Sequence, residues 1–246
     1  MSRALTMLFA IICYAIFFAT FLYLIVFVGG FPFSGRTVDA GPESPPLVAA
    51  LIDLALVTLF GLQHSIMARP AFKAKWTQVV PPAAERSVYV LGASIALMIL
   101  FLGWHPIDAV IWNVTSPMAQ GALWTLFWIG WVTVLVSTFL INHFELFGLQ
   151  QAWFSMRGSE AEQPKFRQPF FYKFVRHPLY AGFLFAFWST PRMTLGHLVL
   201  AAGISVYILI AIRLEEHDLV TVFGKDYEAY REKVGMLTPR FRRRSS

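Results

Sequence analysis

Residues 5–28 read LTMLFAIICYAIFFATFLYLIVFV, a run with no charged side chain. A helix needs about 20 apolar residues to cross ~30 Å of hydrocarbon, and this run exceeds that length. No small-residue cleavage site and hydrophilic chain come after it, so it reads as a retained membrane span rather than a secretion signal. Similar stretches recur at 47–68, 87–104 and 119–147, and then as a pair, 179–190 and 194–213, broken at Pro191. The pattern predicts an all-α integral membrane protein with five to six transmembrane helices, the last two forming a hairpin. The fifth stretch is only ~18 Å long as a helix. It either begins earlier, within Tyr172 to Pro178, or crosses the bilayer only in part.

Composition agrees with this reading. Of 246 residues, 57% are hydrophobic and 14% charged, against about 25% charged in soluble domains. A disordered chain is excluded, and the composition disfavours a soluble globule. The one cysteine, Cys13, excludes a disulfide framework and a thiolate metal cluster, and no metal is expected. The net charge of +6 has no nucleic-acid-binding module around it. Membrane lipid is the expected partner, and nucleic acid is not. With the N-terminus inside, all of the 20 Lys and Arg residues except Arg36 and Arg192 fall on the inner side. Both termini are therefore expected in the cytoplasm, with the protein in a bacterial inner membrane. The chain reads as one domain, 1–246. It comprises a four-helix part (1–147), a cytoplasmic connector (148–178), and a hairpin with a cytoplasmic helical extension (179–246). There is no internal repeat, and no low-complexity tract beyond Arg242 to Arg244.

Ionisable groups at membrane depth are costly, so each is a candidate for function. His64, Asn142, His143, Glu145, Arg176, His177, Glu215, Glu216 and His217 all fall near the inner ends of their spans. Helix ends are also where polar residues ordinarily belong, but their convergence at one depth favours a site. His105 and His197 fall in the outer half and read as interfacial or packing histidines. Asp53 shares a helix face with His64, ~16 Å away along the axis. The two either line one cavity or are separately satisfied. Asn142 and Glu145 share a face, and His143 points away from it. The stretch YKFVRHPLYAG at 172–182 mixes cationic, aromatic and backbone-breaking residues. Pro178 keeps His177 out of the helical region and suits the first position of a helix whose free amides attract an anion. An Arg-His-Pro of this kind also serves as a plain interfacial anchor.

The C-terminal third of the chain carries a resemblance. RHPLYAG at 176–182, then Glu215-Glu216, then FGKDYEAY at 223–230, Val234 and Pro239, resembles the C-terminal signature of the isoprenylcysteine carboxyl methyltransferase superfamily. Upstream, LQHSIMARPAFK at 62–73 and LINHFELFGLQ at 140–150 are similar to its bacterial methanethiol S-methyltransferase branch, and also to NnrU-type membrane proteins. The resemblance implies an integral-membrane enzyme using S-adenosyl-L-methionine to methylate a small thiol, most simply methanethiol to dimethyl sulfide. It further implies that Tyr172, Val175, Arg176, His177, Pro178 and Tyr180 enclose the cofactor together with Glu215 and Glu216. One glutamate would accept from ribose hydroxyls or the amino group, and Arg176 or His177 would meet the carboxylate. The residues alone do not lead to this cofactor, because the glycine-rich fingerprint of soluble nucleotide-binding folds is absent.

Methyl transfer from a sulfonium to a thiolate cancels two charges, so a water-poor pocket suits it. The thiol must first lose its proton, at about 1.4 kcal/mol per pKa unit above ambient pH. The candidate catalytic groups are His64, His143, Glu145 and Asn142. His64 ranks first, since Glu145 has Arg157 or Lys165 as alternative partners. A prenylcysteine carboxylate, a lipid amine or another thiol are competing acceptors. A long-chain acceptor would need a lateral opening, which the aromatic run Trp124, Phe127, Trp128 and Trp131 would fill if it does not simply face lipid or core. From a different class, His64 and His143 could ligate a haem. A transporter has little support without a repeat.

Overall fold

The computed structural model describes residues 2–31, 33–159 and 166–240. Lys165, a suggested partner of Glu145, and Arg242 to Arg244 lie outside the described residues. In chain order the helices are α1 (Arg3–Gly29), α2 (Pro46–Ala68), α3 (Pro70–Trp76), α4 (Pro82–Gly103), α5 (Pro117–Ile141), α6 (His143–Leu146), α7 (Leu149–Arg157), α8 (Pro178–Trp188), α9 (Leu195–Phe223) and α10 (Lys225–Lys233). Proline opens α2, α3, α4, α5 and α8, where its missing N–H costs nothing and its fixed φ suits the first turn. Five helices, α1, α2, α4, α5 and α9, are long and apolar enough to cross a bilayer. Their outward faces carry exposed Leu51, Val132, Phe139 and Val206, a pattern that lipid, not water, stabilises.

The fifth stretch proves short. α8 begins at Pro178 and spans 11 residues, ~16 Å of axis. The residues before it form a 3₁₀ turn, Phe170–Lys173, rather than an earlier helical start. Three boundaries differ from the sequence reading. The third span starts at Pro82, five positions before Ser87. The fourth span ends at Ile141, six positions short of Phe147, because Asn142 leaves the helical region and caps the next turn instead. α9 runs on past Arg213 to Phe223, so the twin glutamates ride on a continuous helix. One element was not expected in an all-α chain. Strands β1 (Val110–Asn113) and β2 (Arg192–Thr194) pair antiparallel, with Val110 opposite Thr194 and Asn113 opposite Arg192.

The core is aromatic. Phe27, Trp104, Phe127, Leu100, Leu200 and Ile212 are buried where the long helices meet. α1 packs on α4 and α7, α2 on α4 and α9, and α5 on α8. The last contact is backbone on backbone. A Cβ at Gly130 would lie 2.6 Å from the Ala186 amide nitrogen, and one at Gly182 would lie 2.7 Å from the Gly130 carbonyl oxygen. This pair of glycines lets the half-length helix seat against a full one, as small residues do between membrane helices. After α10 the chain returns as a strap. Arg176 and His177 donate their amides to the Gly235 and Met236 carbonyls at 2.9 and 3.1 Å, fixing the entry to α8. Gly130→Ala should therefore lower stability by ~1–3 kcal/mol, read as the thermal midpoint in detergent. Gly121→Ala, on the same helix with nothing within 4 Å of its would-be Cβ, should cause no loss.

Candidate active site

Polar groups from α2, α4, α6, α8 and α9 converge on one cavity of about 1130 Å³. On α9 the lining residues are Leu200, Ile204, Tyr207, Ile208, Ala211, Glu215, Asp218, Leu219 and Phe223, the spacing of a single helix face. That face includes Glu215 and omits Glu216, one residue and 100° away. The structure separates the two acids accordingly. The Glu216 carboxylate is turned into protein, where Arg176 Nε and His177 Nε2 both donate to its Oε1 at 2.7 and 3.0 Å. Its side chain is 12% exposed and that of Arg176 10%. Arg176 Nη1 also donates to the carbonyls of Arg231 and Val234. Glu215 keeps a side chain that is 43% exposed. The His177 ring nitrogen Nδ1 stands 3.9 Å away, too far for a hydrogen bond.

Tyr172, Arg176, His177 and Tyr180 line the same cavity. The Tyr230 hydroxyl donates to the Tyr172 carbonyl and pins that turn to α10. Burial, aided by the Glu215 charge, raises the Tyr172 phenol above its ordinary value, so it stays a neutral donor. Val175 and Pro178 do not line the cavity. Val175 bridges to Gly235 in parallel pairing, and Pro178 is buried as the first residue of α8. The family signature thus contains both lining residues and the scaffold that holds them.

The four candidate catalytic residues divide. His64 sits among the rings of Phe60, Tyr89 and Tyr207, with centroids 5.4, 5.0 and 6.2 Å away. Its Nε2 is hydrogen-bonded to the Tyr89 hydroxyl at 2.8 Å, while Nδ1 is buried with no partner among the described residues. His143 is satisfied on both sides. Thr138 Oγ1 donates to the Leu135 carbonyl and so accepts from His143 Nδ1, leaving Nε2 to accept from the Tyr14 hydroxyl at 2.7 Å. Stacked 4.1 Å from Phe139, this ring ties α1 to the end of α5 and offers no free nitrogen to a haem iron. Asn142 and Glu145 form a cap. Asn142 Oδ1 accepts the Glu145 amide, and Asn142 Nδ2 donates to Glu145 Oε2 at 2.9 Å. Arg157 lies over Trp153 instead of pairing with Glu145. Asp53 lies outside the cavity, its Oδ1 accepting the His105 amide at 2.9 Å and its Oδ2 buried without a partner among the described residues.

Sequence reasoning passed over Tyr89, Tyr207, Lys73 and Arg86, all of which line the cavity. The available signal was Arg86 and Tyr89 at i and i+3, at the start of a span whose other end is wholly apolar.

No family model and no solved structure matches the chain. Curated relatives do. It is 48% identical over 239 residues, 97% of this chain and 93% of the relative, to a methanethiol S-methyltransferase of Crocosphaera subtropica. Identity is also 48% to one of Mycobacterium tuberculosis, covering 97% of this chain and 98% of the relative. The chain belongs to the methanethiol S-methyltransferase family. A more distant likeness, 29% over 68% of the chain, is to Nurim of Xenopus laevis. Membership in this family accounts for the similarity at both ends of the sequence, since the match spans His64 and Glu215 alike.

The scaffold of the site can be tested in two ways. Glu216→Ala leaves Arg176 buried without its acid and should cost ~3–5 kcal/mol, seen as a lowered thermal midpoint. Burial holds His143, in the short α6 turn, below the usual histidine range. Its proton is therefore bound more weakly in the folded protein than in the unfolded chain, where the pKa is ~6.5. Its contribution is complete above that pH and declines as pH falls below it. The thermal midpoint should drop between pH 7 and pH 5, and His143→Gln should remove part of that slope.

Proposed function

We propose that the protein transfers the methyl group of S-adenosyl-L-methionine to methanethiol, releasing dimethyl sulfide. The observation that carries this is the cavity's division of labour. An unpaired acid and phenols lie at the mouth, and an imidazole with a free buried nitrogen lies in an aromatic box behind them. The names of the curated relatives support the acceptor.

The residues present fit such a donor. Glu215, half-exposed and without a hydrogen-bonded cation, would accept from ribose hydroxyls, and Tyr172 and Tyr180 offer aromatic faces for a purine. When bound, the sulfonium supplies the activated methyl group. His64 holds the acceptor's proton. With Nε2–H donated to Tyr89, the lone pair on Nδ1 takes the S–H proton as the new S–CH₃ bond forms and the sulfonium C–S bond breaks. Phe60, Leu97, Leu100, Phe183 and Leu200 line the cavity with hydrocarbon and keep water from solvating the thiolate. Phe21 stands edge-on against Trp131 at 5.5 Å, and Trp131 is buried. Phe21 lines the cavity, so bulky rings wall it on this side, which suits a small thiol.

The basic ends of the helices support an orientation with this mouth and both termini in the cytoplasm, and the bacterial relatives support the inner membrane. The whole chain acts as one domain in this reading, with α10 and its strap as a cytoplasmic extension.

Purified protein given both substrates should release dimethyl sulfide into the headspace. No product with an otherwise folded sample would end the proposal. His64→Ala should lower turnover by about 10²–10⁴-fold with donor affinity kept. Glu215→Ala should do the reverse, raising the donor Kd about tenfold or more while the thermal midpoint holds.

A further inference from the structure

The donor carries a carboxylate on its amino-acid arm, and the arginine expected to meet it is already committed. Arg176 gives Nε to Glu216 and Nη1 to two backbone carbonyls. His177 gives Nε2 to the same acid. Four other cations line the cavity: Arg69, Lys73, Arg86 and Arg167. Arg69 is paired with Asp218 at 2.9 Å, and Arg167 is exposed. Lys73 and Arg86 are partly buried, and neither has a carboxylate within ion-pair distance among the described residues.

Arg86 is held ready. Its Nε donates to the Leu146 carbonyl at 2.7 Å, and its guanidinium carbon lies 4.8 Å over the Tyr89 ring. Its Nη groups donate to no protein atom among the described residues. Lys73 comes from α3, whose short turn after Arg69 brings it to the same mouth. Burial lowers its ammonium's affinity for a proton, and the Arg86 and Arg69 charges lower it further, with Glu85 and Asp218 opposing. Glu85 and Asp218 line the same cavity, but neither is ion-paired to Lys73 or Arg86, and two cations left without a close acid form a site that an anion would stabilise.

We propose that Lys73 and Arg86 bind the aliphatic carboxylate of the methyl donor. This rests on the donor assignment above and adds a subsite to it. The subsite also places the amino-acid arm against α3 and α4, leaving the Tyr172 turn and Glu215 for the nucleoside.

Calorimetric titration with S-adenosyl-L-methionine and with its decarboxylated analogue tests it. Wild type should prefer the carboxylated donor by about tenfold or more. Lys73→Gln should erase most of that preference while leaving affinity for the decarboxylated analogue unchanged, and Lys73→Arg should retain it. Arg86→Gln should shift the same ratio, which is read independently of any loss of folded protein. An unchanged ratio in both glutamine variants, with the wild type binding the carboxylated donor, would overturn the subsite alone. Wild type binding neither donor would overturn the donor assignment, and the subsite with it.

Discussion

One carboxylate, that of Glu216, organises the end of this protein where α8 begins and α9 meets α10. It receives Arg176 and His177 together, and Arg176 carries the connection on to the carbonyls of Arg231 and Val234. Three stretches distant in sequence, the entry to α8, the inner turns of α9 and the strap after α10, are thereby joined around one atom. Withdrawing an acid and a guanidinium from water is costly, and only close geometry with further hydrogen bonds repays it. The gain is positional. With Glu216 turned inward, helical periodicity presents Glu215 to the cavity, and His177 is held still beside it.

The bilayer sets the other constraint. A polar group at this depth gains by finding a partner within the protein, and the histidines and acids near the cavity differ in how far they have found one. His143, with Thr138 and Tyr14 on its two nitrogens, is complete. So is the Asn142 to Glu145 cap. His64 has one nitrogen bonded and one bare, and Glu215 stands half-exposed with no hydrogen-bonded cation. His64 and Glu215 line the cavity with atoms left unpaired, and His143 and the Asn142 to Glu145 cap line it with theirs committed.

That distinction explains why His143 and His64 look alike on paper. Each is a histidine near the inner end of an apolar helix. What separates them is a tyrosine on α1 and a threonine one turn back on α5 in one case, and Tyr89 from α4 in the other. Lys73 and Arg86 were legible only as members of a basic inner flank, because Arg176 stood closer to the family signature and drew the assignment of the carboxylate to itself.

Much was decided by the chain alone. Hydrophobic length dictates the spans, since a run of apolar residues has nowhere else to go. The short fifth segment comes from the nearness of Pro178 to Pro191, and the split between Glu215 and Glu216 from 100° per residue. Tertiary structure decided what depends on neighbours remote in sequence. It ended α5 at Asn142 and paired β1 with β2. It also satisfied Arg176 and left His64 Nδ1 free. Pairing of a polar atom is a property of whatever lies within about 3 Å of it, and no local pattern of residues specifies that.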